Sequence, residues 1–147
     1  MSLLLKKLLI QLDTSQHPSV FDRVVAYDGG ADDVLSYGGV TPETVRDLVH
    51  GAIFTRGPKD LHCTAIFIGG TDMALGEKLL SAVKQAFFDP LRVSLMLDSN
   101  GSNTTAVAAV AKMRQVVDTF VGRSAFASAG SRPVGLLVAG LLAQGGR

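Results

Sequence analysis

The chain has 147 residues, 47% of them hydrophobic and 18% charged, with a formal net charge of +1. That composition describes a globular domain large enough for a sizeable core and excludes a disordered acidic or basic tail. The charges form no basic stripe, so no nucleic-acid partner is expected; the single Cys63 excludes an internal disulfide and fits a reducing, cytoplasmic setting.

The leucine-rich start, Met1 to Ile10, is interrupted by Lys6 and Lys7 and has no small-residue cleavage pattern, so it reads as a first strand and not as a signal peptide. Leu8 to Leu12 is a continuous aliphatic run ending in Asp13-Thr14-Ser15, which suits a central parallel strand covered on both faces. Pro18 stands where a helix accepts proline; Val20, Phe21, Val24 and Val25 follow at helical spacing, and Asp28-Gly29-Gly30 is a glycine stop. Ala31 to Gly39 reads as a loop with a short strand at Val34-Leu35.

Thr41-Pro42-Glu43 predicts a helix start with a threonine cap, then a buried stripe of Val45, Leu48 and Val49 and a stop at Gly51. Ile53-Phe54-Thr55 is a short strand candidate, and Arg56 to Lys59 a turn. Thr64 to Ile68 is a strand, with Cys63 at its start as a buried structural thiol, and Gly69-Gly70-Thr71-Asp72 follows. Met73 to Phe88 is an amphipathic helix broken by Asp89-Pro90, and Leu91 to Leu97 a buried strand. A helix is expected over Ala106 to Phe120 and a small-residue strand over Ser124 to Ala129. A glycine-rich turn, Gly130 to Gly135, then opens a last apolar helix. Its apolar part, Val134 to Ala143, is about ten residues long against the roughly 20 that cross a bilayer, so no membrane association is expected. Alternating strands and helices predict an α/β fold: an open parallel sheet with flanking helices and right-handed crossovers.

Leu97 to Thr105 carries the strongest chemical signal. A strand candidate runs into Asp98, Ser99, Asn100, Gly101, Ser102, Asn103 and Thr104 just before a helix, where open α/β sheets place their ligands. Ser102, Asn103 and Thr104 are also candidate helix caps, and turn formation by itself accounts for part of this polarity. Asp28, Asp32 and Asp33 surround a glycine pair, but no second acidic cluster gives them metal-ligand spacing. The three histidines are isolated from one another, so neither a metal site nor a catalytic triad is expected.

Several segments together carry a resemblance: Pro18 to Asp22, Tyr27 to Asp32, Val40-Thr41-Pro42, Thr55-Arg56-Gly57, Ile68-Gly69-Gly70, Asp72-Met73 and Leu97 to Thr105. They resemble the N-terminal, substrate-binding domain of bacterial NAD(P)-dependent methylene-tetrahydromethanopterin dehydrogenases. The resemblance implies a pterin-binding domain over 1–121 and, over 122–147, the opening βα unit of an incomplete dinucleotide-binding domain of Rossmann type. It implies hydride transfer from a methylene-pterin to NADP or NAD, with a tetrahydromethanopterin-type (or tetrahydrofolate-type) molecule as partner. Arg132 stands where the family has glycine, and its Cβ would crowd a pyrophosphate.

Hydride loss leaves a methenyl cation, so carboxylates near the reacting carbon would help. Asp98 and Asp13, each directly after an apolar run, are the catalytic candidates; their alternative is to bind the amides of the turns that follow. Substrate-binding candidates are Asp28, Gly29, Gly30, Arg56, Gly69, Gly70, Asn100, Ser102, Asn103 and Thr104, and Arg56 is a candidate partner for Asp13 or Asp98. Cofactor-binding candidates are Gly130, Ser131, Pro133, Val134 and Gly135, although the 147 residues alone are not expected to bind the dinucleotide or to turn over. Two other readings stay open: a non-catalytic pterin-binding or protein-interaction module, a homo-oligomer included, and a truncated, inactive gene product.

Overall fold

The computed structural model describes residues 5–145 and divides the chain into two compact units, one running through Asn100 and the other from Gly101. The first holds four parallel strands: β1 (Leu8–Asp13), β2 (Asp33–Tyr37), β3 (Thr64–Gly69) and β4 (Ser94–Leu97), in the order β2-β1-β3-β4. β1, the most continuously aliphatic stretch, takes a central place, as its sequence predicts. Its register sets Leu8 beside Asp33 and Thr64, and Asp13 beside Gly69.

Strand alternation sorts side chains to two different faces. Ile10, Leu12, Ile66 and Ile68 meet α2 (Val45–Phe54) through Val45, Val49, Ala52 and Ile53, and α3 (Met73–Ala86) through Leu79 and Val83. Each such side chain contributes about 1.5–3 kcal/mol on burial, so this layer carries the unit. The opposite face of β1 presents Gln11 and Asp13, both buried. The Gln11 amide donates to the Ser19 carbonyl (3.1 Å), and its oxygen accepts from the Ser36 hydroxyl (2.6 Å). This polar contact, and not an apolar one, holds the start of α1 (Val20–Asp28). α1 buries no residue: Val20 and Phe21 are about three-quarters exposed, and Val24 and Val25 about half. β1 is nonetheless buried on both faces, as expected of a central strand, the second face through Gln11 and Asp13 and not through apolar side chains.

Other boundaries move for local reasons. Thr41 to Thr44 forms a turn, and α2 begins at Val45 with no side-chain cap; it runs through Gly51 to Phe54, so the strand expected at 53–55 is helix. Ile53 is fully buried at helical spacing from Val49, and that packing overrides its β-branched preference. β4 starts only at Ser94, because Asp89-Pro90 forms a tight turn that bridges Phe88 to Leu91; as an edge strand it leaves Met96 half exposed. Cys63, half-buried, ends a 3₁₀ segment (Pro58–Cys63) with its Sγ 3.3 Å from His62 Nε2.

In the second unit α4 (Ser102–Arg114) and α5 (Pro133–Gly145) pack through Ala106, Val110 and Val138, with Leu137, Leu141 and Phe120 around them. The strand expected at 124–129 is absent: no described strand stands beside it to pair, and Phe126 is 93% exposed. Among the described residues no helix is long and apolar enough to cross a membrane.

Gly51 interrupts α2, and a Cβ built there would meet nothing within 4 Å. Glycine in a helix interior costs about 0.5–1 kcal/mol relative to alanine. Gly51→Ala should therefore raise stability by roughly that amount, read as a higher denaturant midpoint with an unchanged slope.

Candidate functional site

The strand order fixes where a crevice forms. After β1 the chain goes outward to β2, then crosses to β3 on the other side, so neighbouring β1 and β3 send their following loops in opposite directions. That is a topological switch point, and open α/β sheets bind ligands at its carboxyl end. Asp13 and Gly69 are the last paired residues there.

Asp13 is 1% exposed, and its two oxygens accept the backbone amides of Ser15 (2.8 Å) and Ser19 (3.0 Å). Taking the Ser19 amide alters the cap of α1. In a capping box the third helical carboxylate would bind that amide; here Ser19 Oγ accepts the Asp22 amide (3.2 Å), and the Asp22 carboxylate leans over Gly69. A Cβ on Gly69 would stand 3.2 Å from an Asp22 oxygen and 3.6 Å from an Asp13 oxygen. Gly70, at φ +98°, presses its backbone against Thr14, whose hydroxyl is buried without a partner among the described residues.

The loop after β4 is pinned to the same edge. The Asp98 amide donates to the Ile68 carbonyl (2.9 Å), the Asn100 amide to that of Gly70 (2.6 Å) and the Ser99 hydroxyl to that of Gly69 (3.1 Å). Gly76 lets α3 pass close to Ser99, where a Cβ would collide with its hydroxyl. Asn100 takes a left-handed conformation (φ 57°), which asparagine tolerates better than most residues. Three carboxylates thus share one crest. Burial pushes the Asp22 carboxyl above the ordinary aspartate range; the Ser19 side chain pulls it partly back, and the charges of Asp13 and then Asp98 push it further up.

Of the sequence-derived candidates, Asp13, Gly69, Gly70, Asp98 and Asn100 meet at this crest. Asp22 and Thr14 were missed: the serine three residues before Asp22 is a capping signature, which assigns the Asp22 carboxylate to the Ser19 amide that Asp13 takes instead. Asp28, Gly29, Gly30 and Arg56 lie at the other end of the sheet. Asp32 and Asp33 tie the loop after α1 to Lys7 and Lys6, just before β1. Arg56 donates to the carbonyls of Cys63 (3.1 Å) and Lys6 (2.8 Å), so its expected pairing with Asp13 or Asp98 is corrected. Ser102, Asn103 and Thr104 belong to the second unit and are the first turn of α4, not its cap; the cap is Gly101, whose left-handed conformation at φ +59° glycine adopts without strain. Gly130 and Ser131 lie in the turn before α5, and Pro133, Val134 and Gly135 are its first turn, where Gly135 packs so closely on the Ala129 carbonyl that a Cβ would collide with it. Among the described residues no three His, Cys, Asp or Glu side chains stand so as to hold a metal ion.

A parallel sheet with buried and half-buried carboxylates at its switch point defines an α/β fold with a candidate ligand site at that crest. Comparison with known proteins makes this specific. The family described as methylene-tetrahydromethanopterin dehydrogenase, N-terminal, matches residues 20–100, which include Asp22, Gly69, Gly70 and Asp98. The bifunctional protein MdtA of Methylorubrum extorquens is 63% identical over 106 residues, 72% of this chain and 37% of that protein. The NAD(P)-dependent methylenetetrahydromethanopterin dehydrogenase of the same organism is 34% identical over 112 residues, 76% of this chain and 38% of that protein. The chain belongs to the methylene-tetrahydromethanopterin dehydrogenase family, in the region of its N-terminal domain, and spans little more than a third of the length of either relative.

The raised carboxyl has a defined consequence. Between pH 3.8 and its higher folded value, Asp22 binds more proton in the folded than in the unfolded chain, so its contribution to stability falls as pH rises through that window. Asp22→Asn removes this loss. The melting temperature of the variant minus that of the wild type should grow through the window and level off above it, by no more than a few degrees because the group is partly solvated.

Proposed function

We propose that this chain supplies the pterin-binding side of an NAD(P)-dependent methylene-tetrahydromethanopterin dehydrogenase, and that the pterin lies on the crest formed by Asp13, Asp22, Gly69-Gly70 and Asp98. The observation that carries the reading is the gathering of three carboxylates at the β1/β3 switch point, two of which, Asp22 and Asp98, lie within residues 20–100 that match the family.

The reaction passes a hydride from the methylene bridge to a nicotinamide, which accepts it at ring carbon. This chain needs no proton donor or acceptor for that step. Its work is to hold the bridge and to favour the positive charge left on it. A carboxylate about 4 Å from that charge contributes up to roughly 4 kcal/mol at the effective dielectric of a partly buried site. Asp98 and Asp22 take this role. Asp13, whose oxygens are committed to two amides, holds the crest in place, and glycine at 69 and 70 lets Asp22 and Thr14 pack against the end of β3. The polar first turn of α4 and the turn at 130–135 are assigned to pterin and nucleotide contacts by the family resemblance alone, as is the division into a pterin domain over 1–121 and a nucleotide unit from 122.

A second reading, a protein-interaction module, draws on the exposed Val20, Phe21, Val24 and Val25 of α1. Light scattering tests it: a monomer at all concentrations would count against self-association.

Titrating the chain with methenyl-tetrahydromethanopterin, followed by the absorbance of the cation, tests the first reading. Saturable binding is expected, weakened roughly tenfold or more by Asp98→Asn at unchanged melting temperature. No binding, or binding indifferent to both Asp98→Asn and Asp22→Asn, overturns it.

A further inference from the structure

The sequence of β1 sets one amide, that of Gln11, among aliphatic residues, and Gln11 is 1% exposed. Burying an amide costs free energy unless its donor and its acceptor are both bonded. Here both are. The Ser19 carbonyl can only accept, so the Gln11 amide nitrogen faces it (3.1 Å), which leaves the amide oxygen to accept the Ser36 hydroxyl (2.6 Å). An aliphatic residue would be the ordinary occupant of such a run; what glutamine adds is the grip on Ser19 and Ser36.

Gln11 and Asp13 alternate onto one face of β1, and they take hold of the same residue. Gln11 donates to the Ser19 carbonyl, and Asp13 accepts the Ser19 amide (3.0 Å). Ser19 is the cap of α1. Its hydroxyl accepts the Asp22 amide (3.2 Å), and its carbonyl also accepts the Arg23 amide (3.3 Å), the first bond of the helix. Since α1 buries no residue, apolar packing does little to fix its first turn. The two-point hold on Ser19 does so instead, and that turn carries the carboxylate that leans over Gly69.

We propose that Gln11 is a positioning residue for the crest: by holding the Ser19 carbonyl it keeps the first turn of α1, and with it the Asp22 carboxylate, over the end of β3. Buried as it is, Gln11 meets no ligand and acts through Ser19. Supporting groups of this kind fix the geometry of the groups that do meet a ligand. For pterin binding the inference rests on the reading above; for the placement of Asp22 it does not. Ser36 supplies the control, because its bond to Gln11 ties β2 to β1 and does not reach α1.

The carbon resonance of the Asp22 carboxyl, followed against pH, tests it. Burial first, and then the charges of Asp13 and Asp98, hold that proton above the ordinary aspartate range, with the Ser19 side chain opposing them in part. Gln11→Met, similar in length but without the amide, releases the first turn, and the Asp22 midpoint should fall toward the ordinary value. Gln11→Asn, whose amide is one methylene shorter, should shift it the same way and serves if the methionine variant does not fold. Ser36→Ala also removes one bond of Gln11 and should leave the midpoint where the wild type has it. Affinity for methenyl-tetrahydromethanopterin should fall roughly three- to tenfold in Gln11→Met, the effect of one hydrogen bond, and stay unchanged in Ser36→Ala. An unchanged Asp22 midpoint in the glutamine variants overturns the proposal. So does an equal shift in Ser36→Ala, which would make the effect one of general loosening. Absence of binding by the wild type would instead remove the pterin reading, and the Asp22 midpoint would still decide the role of Gln11.

Discussion

The buried carboxylate of Asp13 is the constraint on which the upper edge of the sheet depends. A charge at the end of a central strand is tolerated only when its oxygens are bonded, and both are, to the amides of Ser15 and Ser19. Those bonds fold the chain back over the strand end and set the point at which α1 begins. The main chain completes the arrangement: the Asp13 and Ser15 carbonyls accept the amides of Val40 and Gly39, so the loop after β2 is tied to the same place. Gly70 then fits against Thr14, and the β4 exit hangs on Ile68 to Gly70.

One cost follows. With the Ser19 amide taken, the Asp22 carboxylate is left beside Gly69, and its proton is held more tightly, first because the group is partly buried and then because of the charges of Asp13 and Asp98. Such a cluster opposes folding at neutral pH, and α1 offsets little of it, since it buries none of its apolar residues. A perturbed carboxylate at a strand-end crevice marks a candidate functional site, and stability is commonly given up at such places.

Much of this was legible from residue order. The parallel sheet, the central place of β1, α3, the polar end of β1 and the glycine-containing ends of β3 and β4 follow from aliphatic runs, helical spacing and punctuation. Where packing decided the outcome, local reading went astray. Ile53 and Phe54 look like strand because they are β-branched and aromatic, yet α2 needs Ile53 as a buried helical position. Ser124 to Ala129 has strand-like residues but no described neighbour to pair with. Asp22 was overlooked because a carboxylate in a first helical turn is explained by capping; only the competition of Asp13 for the Ser19 amide frees it for another use.

The misplacement of Asp28, Gly29, Gly30 and Arg56 has a more general cause. In a parallel sheet with helical crossovers, every loop that leaves a strand lies at one end and every loop that enters a strand lies at the other. Asp13 to Ser19, Gly38 to Thr44, Gly69 to Asp72 and Asp98 to Asn100 all leave strands. Gly29 to Asp32, Thr55 to Cys63 and Phe87 to Val93 all enter them. Polar, glycine-rich loops of both kinds look alike in composition, so pooling them joins residues that the fold keeps at opposite ends. Sorting each by whether a strand precedes or follows it needs only the order of elements, and that order was already readable.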